Sequence, residues 1–523
     1  MSADIPPGRR GAGGAGVDGA IGTLRQAGAI EESLCSIDGG AVGIRAGERG
    51  WQVLAWAPSG GPMPGGMTGD TTDLGDGVLA TGAPDRGNAA VLRGLVPWLR
   101  PRLVGGATSA GVGDRIGIAT PGHAAAFRAN PGIFPVFAQQ SARELIRTGR
   151  SFQDVVDAAT FGALAAGWRD GFGADADHLK SIADIDAGID AGCTMFTADP
   201  IKLVPDLPAD APDGAIAAAF SAVPWSGLED EAAAFAARYP ERLDLDCGPL
   251  ELKPATLRAA AARFGAAVVQ VAAMYRHLAG ALAPGSFEFE VAVDEIEYRT
   301  TPVDHVYLAT ELHRLGVRWV SFAPRFVGEF EKGIDYLGDR DRLEADVEVH
   351  AAIARRLGGY KLSVHSGSDK FSIYEAVARG TRDRVHLKTS GTSYLVALET
   401  IAAADPDLMR RVWRVALEAY TTARATYHVS ATAAGAPSSD GASAEALGRL
   451  LVDPNTREIL HVTYGAVLHG ASAGGGTDLG DDLRAAIWRQ REAYWSNLAA
   501  HIGRHLRPFA TVAGRPTTKG ATR

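Results

Sequence analysis

Beyond residue 112, the apolar positions follow two alternating periods. Short β-prone runs such as FPVFAQQ, GADADHL, TMFTAD, FEFEVAVDE, VRWVSFAP, KLSVHSGS and VHLKTSG are separated by stretches in which apolar residues recur every three or four positions. In one of these, RLEADVEVHAAIARRL, the residues Leu343, Val347, Ala354 and Leu357 share a face, and Gly358-Gly359 closes it as a C-terminal cap. With IGIAT upstream and ATYHVSA downstream, nine strand candidates lie between residues 115 and 431. Eight close a (β/α)8 barrel. About 85 residues between TMFTADP and FEFEVAV form an insertion, with a helix expected near PATLRAAAARFGAAVVQVAAMYRHL.

The same grammar also fits an open doubly wound sheet, so the polar residues decide. Functional side chains stand at the C-terminal ends of nearly all the runs: Gln139 and Gln140, Asp177 and His178, Asp199, Asp294 and Glu295, Arg325, His365, Lys388, His428. An open sheet gathers ligand groups at its switch point, whereas a barrel collects them from every strand onto one rim. The expected class is therefore α/β, a (β/α)8 TIM-type barrel over residues 113–510 with added helices. Gly, Ala and Pro crowd the first 110 residues, from GAGGAG to PSGGPMPGGMTGD. Residues 1–20 read as disordered, 21–112 as an accessory α/β region and 511–523 as a flexible tail.

Composition changes this picture only by exclusion. The 523 residues are 46% hydrophobic and 22% charged, with a net charge of −9. No Lys/Arg stripe interleaved with aromatics is present, so no nucleic-acid partner is expected. Cys35, Cys193 and Cys247 are scattered without C-x-x-C spacing, which argues against a disulfide framework or thiolate metal site. No signal-like segment opens the chain and no run of about 18 apolar residues is seen, so a cytoplasmic protein without a membrane span is expected. Neither G-x-G-x-x-G after a first strand, nor a phosphate-binding G-x-x-x-x-G-K-[ST], nor H-E-x-x-H occurs.

Ten blocks in one order, GDRIGIATPGH, IFPVFAQQSARELIRTGR, GFGADADHLK, TMFTADP, FEFEVAVDE, RFVGEFEKGIDYLGD, KLSVHSGSDKFSIY, VHLKTSGTSYL, TYHVSA and HVTYGAVL, resemble the tagaturonate epimerase family. The likeness covers roughly residues 113–510 and implies a divalent-metal-dependent 4-epimerase interconverting D-fructuronate and D-tagaturonate, with a sugar acid as its small-molecule partner. In a 2-ketohexuronate, C4 is β to the ketone, so its C–H is not acidic. Retro-aldol cleavage of C3–C4, half-turn rotation of the C4 aldehyde and re-addition inverts it with a metal and two proton-transfer groups.

Read with that resemblance, His365 at a strand end is a ligand for a Zn, Mn, Ni or Co class ion, and His178 is the second. Asp177 reads equally as the cap of a following helix or as the base for the C4 hydroxyl, and the resemblance favours the base. Asp177 and His178 can both face the site only if the strand ends or bulges there. Glu290 is expected buried and neutral, as a proton donor, against the alternative of an ion pair with Lys361 or Arg325. Glu329 or Glu331 would supply a third, oxygen ligand. Ser366 would bind sugar hydroxyls, and Lys370, Lys388 or Arg325 the uronate carboxylate. His428 is either a ligand or hydroxyl contact, or a satisfied core histidine; His386 and His461 read as structural. Two other functions fit the same residues: a metal-dependent aldolase or isomerase acting on a neutral ketohexose such as fructose or tagatose, and a non-catalytic sugar-acid binder.

Overall fold

The computed structural model describes residues 14–208, 210–382, 384–438, 442–470 and 478–510. The expected tail 511–523 and the first thirteen residues of the expected disordered segment lie outside them. From Gly14 the chain is helical, through Gln26, so the N-terminal expectation does not hold there. The chain forms two compact units, one running to Arg100 with Asp157–Gly171 added, the other made of Pro101–Val156 and residues from Phe172 onward.

In the first unit, five strands, β1 (Cys35–Ile37), β2 (Gly40–Ala46), β3 (Trp51–Pro58), β4 (Asp70–Asp73) and β5 (Gly77–Gly82), form an antiparallel sheet in the order β1-β2-β3-β5-β4. Ala20 and Leu24 of the first helix pack on Ala41, Leu54 and Trp56. The pairing is antiparallel throughout, so this unit is α+β and not the expected α/β arrangement.

In the second unit, eight parallel strands close on themselves: β6 (Ser109–Val112), β7 (Phe134–Ser141), β8 (Gly173–Leu179), β9 (Met195–Ala198), β12 (Glu288–Ala292), β13 (Ser321–Ala323), β14 (Lys361–Val364) and β15 (Val385–Thr389). A two-stranded hairpin, β10 (Arg242–Leu245) and β11 (Gly248–Glu251), lies in the insertion between β9 and β12. The fold is a (β/α)8 barrel.

Two strand expectations fail, and one strand was not expected. IGIAT is a turn, because Asp114 accepts hydrogen bonds from the amides of Ile116, Gly117 and Ala119 at 3.2, 2.7 and 2.7 Å and steers the chain into the helix Thr120–Ala129. TYHVSA overlaps the end of a short 3₁₀ turn and joins no sheet among the described residues, since a closed barrel offers no edge. The missed strand is β6, SAGV, whose small residues carry little β-propensity. A Cβ at Gly111 would stand 2.9 Å from Gln139 Oε1, so glycine lets a polar side chain cross the barrel floor.

Along β12 every residue is buried. Phe289 points outward to Tyr275, with ring centroids 5.4 Å apart. The alternating Glu288 and Glu290 point inward, and Glu288 accepts from the amides of Val104 and Gly105 at 2.6 Å each. The expected insertion helix spans Pro254–Ala281 and is long and apolar enough to cross a membrane, but most of it is buried against its neighbours. Its Arg263 donates to Asp304, which also closes the capping box of the helix Pro302–Arg314, and both charges are buried. Replacing Arg263 by Met strands the Asp304 carboxylate, which costs about 3–5 kcal/mol. Urea unfolding of Arg263→Met should show that loss at unchanged m-value, and a loss below about 1 kcal/mol would mean the pair does not hold the helix.

Candidate active site

The adjacent Asp177 and His178 face the same space because β8 bulges. Its register against β9 shifts between Ala176 and Leu179, and His178 takes φ +52°, a conformation rarely stable without support from its surroundings. Asp177 Oδ1 accepts from Lys388 Nζ at 2.7 Å and Oδ2 from Gln139 Nε2 at 2.8 Å. Asp177 is no helix cap, since Ser181 and Asp184 form the capping box of the next helix. His178 Nδ1 is bonded to Asp199 Oδ2 at 3.1 Å, which leaves Nε2 directed toward Asp177 Oδ1, 3.9 Å away.

His365 follows β14, and its ring centroid lies 4.9 Å from that of His178. Its Nε2 is 2.7 Å from Glu290 Oε1. Its Nδ1 stands 2.9 Å from Asp294 Oδ1, yet the two are not aligned as a hydrogen bond, and both atoms are buried without a partner. Two ligand atoms each about 2.1 Å from one ion and at right angles would stand about 3 Å apart. Ligand atoms of Asp177, His178 and His365 all fall within 4.8 Å of one another. Imidazoles and carboxylates so placed suit a borderline divalent ion, with Asp199 and Glu290 orienting the two rings.

Charge in the cluster argues the same way. Burial opposes a charged imidazole at His178, but Asp177, the bond to Asp199, Glu295 and Asp294 outweigh it and raise its pKa to about 10. At His365 burial again opposes charge, and Asp294 with Glu290 overcomes it and the nearby Lys388, lifting the pKa to about 9. Two rings held as imidazolium mark a space whose carboxylates call for added positive charge, the condition in which a metal ion displaces protons.

Beneath the rings, Lys388 Nζ is 2.8 Å from Asp175, 2.7 Å from Asp177, 2.7 Å from Glu290 and 2.8 Å from Thr197 Oγ1. Burial alone would neutralise this lysine, but the three carboxylates hold it protonated, with its pKa well above the usual value. Lys388 is thus an internal counter-ion, unavailable to a substrate carboxylate. Glu290 differs from expectation too: burial would protonate it, but Lys388 and His365 keep its pKa well below normal, and Ser321 also donates to it. It is ionised and orients His365. Neither Lys361 nor Arg325 pairs with it; Lys361 donates to Ala107 O and Ser109 Oγ, each at 2.8 Å. Of the three carboxyls around Lys388, the one shifted upward is Asp175, which burial pushes up to about 7 against the pull of Lys388.

In front of His365 opens a cavity of about 380 Å³, whose walls include Arg325, Ser366 and His428. A recess of about 40 Å³ continues inward to Asp177, His178 and Lys388. His428 is not a core histidine but an exposed rim residue, 3.1 Å from Glu329 Oε2, which Arg325 also contacts at 2.9 Å. Glu329 therefore sits at the mouth, beside Arg325 and His428 and apart from His178 and His365. Glu331 is elsewhere, accepting from Ser430 N at 3.0 Å and Ser430 Oγ at 2.7 Å. Lys370 does not line the cavity: it is buried and donates to the carbonyls of Glu331, Ile334 and Ser368. The backbone carbonyls around it leave it no room for a ligand. His386 meets Ser109 Oγ at 2.8 Å and is structural, whereas His461, also expected to be structural, lines the inner recess.

Asp294 and Asp199 are legible as polar strand-end residues, but no role for them could be read, and Asp175, inside its strand, was not singled out. Arg143, which faces Glu295 at 2.6 Å, and Lys332 carry no sequence signal, since both come from loops and helix starts that the barrel brings to one mouth.

A closed parallel barrel with its ionisable side chains gathered at one mouth defines the chain as a (β/α)8-barrel enzyme, and its relatives place it in the isomerase class. The sequence pattern of the UxaE family, tagaturonate epimerase, matches residues 71–509. A tagaturonate/fructuronate epimerase of Thermotoga maritima is 40% identical over 428 residues, 80% of this chain and 84% of that one. Fructuronate-tagaturonate epimerase UxaE from Cohnella laeviribosi, crystallised with glycerol, superposes with a TM-score of 0.86 at 33% identity, covering 94% of this chain and 99% of that chain. Its native crystal structure gives 0.84 at 32% identity, with the same coverage. The chain belongs to the tagaturonate epimerase family.

Glu331 and Glu458 form a buried acidic pair behind this mouth. Burial and the neighbouring Glu331 raise the Glu458 pKa to about 8. A carboxyl whose folded pKa exceeds its unfolded value stabilises the fold below the unfolded pKa, and that stability is lost as pH rises through the folded pKa. Between about pH 5 and pH 8.5 the Tm of the wild type should therefore fall relative to that of Glu458→Gln, whose amide cannot ionise. Parallel Tm profiles would refute the raised pKa.

Proposed function

We propose that the protein is a metal-dependent 4-epimerase interconverting D-fructuronate and D-tagaturonate. The observation that carries this is the pair of rim imidazoles, His178 and His365, clustered with Asp177 and Asp294 beneath a cavity walled by cations, in a chain of this family. His178, His365 and Asp294, with Asp177 adjacent, would hold the ion. When bound, a divalent ion there would supply Lewis acidity at the keto end of the sugar.

The chain's own groups do the rest. Asp177 lines the inner recess and is kept ionised, because Lys388 and the two imidazoles outweigh its burial and depress its pKa. It accepts the C4 hydroxyl proton as the C3–C4 bond breaks. The C4 carbon becomes an aldehyde, which turns by half a revolution before the bond re-forms on its other face. Lys388, lining the same recess and 2.7 Å from Asp177, returns a proton to the C4 oxygen and is recharged by the proton that Asp177 took, so the pair ends as it began. Glu290 acts through His365 and Lys388 and does not touch the sugar. Gln139 holds the second oxygen of Asp177, which fixes the direction of its free lone pairs.

Incubation of the protein with D-fructuronate, followed by NMR with and without EDTA, tests this reading. Tagaturonate should form only without EDTA, and three-carbon fragments as main products would point to an aldolase. His365→Ala should lower bound divalent metal by orders of magnitude, and full occupancy would exclude it as a ligand. In D2O, C4 of the product should carry no deuterium, because its hydrogen never leaves carbon. Asp177→Asn should keep the fold and lose roughly 10²–10⁴-fold in rate, the usual worth of a positioned base.

A further inference from the structure

A cavity that takes an anionic sugar needs a cation not already neutralised by the protein. Besides histidines, four cationic side chains line this one: Arg143, Lys180, Arg325 and Lys332. Three of them have a carboxylate at hand. Arg143 lies 2.6 Å from Glu295, Lys180 lies 3.3 Å from Asp199, and Arg325 and His428 share Glu329 at 2.9 and 3.1 Å. Lys332 is different. Its Nζ donates to Ser366 Oγ at 2.5 Å, and among the described residues no carboxylate oxygen lies within ion-pair distance of it; its charge is felt at Glu295, which Arg143 already holds.

We propose that Lys332 is the anchor for the substrate carboxylate and the residue that makes the site prefer a hexuronate to a neutral ketohexose. This rests on the sugar-acid reading above and names the group that sets its charge class. Position supports it as well as charge. Ser366 directly follows His365 and holds φ +50°, so the Lys332–Ser366 bond sets the ammonium beside the proposed metal ligand. Lys332 also borders both the outer cavity and the inner recess, so a carboxylate on Lys332 leaves the rest of the sugar reaching toward Asp177 and Lys388. Arg325 is a weaker choice, because a ligand would have to compete there with Glu329. Lys332 needs no such exchange: an incoming carboxylate adds an ion pair and breaks none.

The test separates binding from turnover. Metal-loaded Asp177→Asn protein, slowed in catalysis, is titrated by calorimetry with D-fructuronate and with D-fructose, and the same titrations are repeated with Lys332→Met added. The expected result is that fructuronate binds about 10- to 100-fold more tightly than fructose, the range for a charge-assisted hydrogen bond, and that Lys332→Met removes most of this preference. An unchanged preference in the Lys332→Met protein, an equal loss of affinity for both sugars, or no preference to begin with would each overturn the proposal. Turnover of fructuronate by the unsubstituted protein tests the parent reading separately. A Lys332-dependent preference without turnover would keep the anchor and remove the epimerase.

Discussion

One ammonium group organises the interior of this barrel. Lys388 comes from β15, yet it reaches Asp175 and Asp177 on β8, Thr197 on β9 and Glu290 on β12, so it ties together strands from across the barrel. Burying any one of these charges alone would cost several kcal/mol, and three carboxylates without the lysine would repel one another. Together they satisfy each other, and the cluster becomes a rigid negative floor. Everything above it inherits that field: the imidazoles of His178 and His365 are driven toward the charged state, and the space between them favours a cation.

Rigidity of the floor also explains a strained feature directly above it. A strand that alternates strictly would send Asp177 and His178 to opposite faces. The bulge in β8 and the left-handed backbone at His178 put both on one side, and the bonds of Asp177 to Lys388 and Gln139 and of His178 to Asp199 hold them there. The strain sits at the one place where two neighbouring side chains must serve one site.

Legibility followed physical range. Period-two and period-3.6 patterns report local burial, so seven of the eight barrel strands and the long insertion helix were readable, while SAGV, with no β-branched residue but its last, was not. The candidate site residues were also readable as a set: His178, His365, Asp177 and Lys388 at strand ends and Glu290 within its strand do converge in space. Individual roles were not. Lys370 and Glu331 lie in equally polar loop sequence, but backbone carbonyls and Ser430 consume them, and no local pattern reveals a partner about 40 or 100 residues away. Lys332 was invisible for the opposite reason, since what marks it is that no carboxylate among the described residues lies at ion-pair distance, as one does for its neighbours.

The sequence by itself determined the barrel class, the approximate order of its strands and the pool of ionisable residues at their C-terminal ends, because each depends on residue type and spacing along a few turns of chain. Only the tertiary structure decided which acid is ionised, which nitrogen of each imidazole is free, and which lysine faces the cavity and which faces the core. Those properties are set by the electrostatic sum over groups from different strands, and that sum does not exist until the barrel has closed around Lys388.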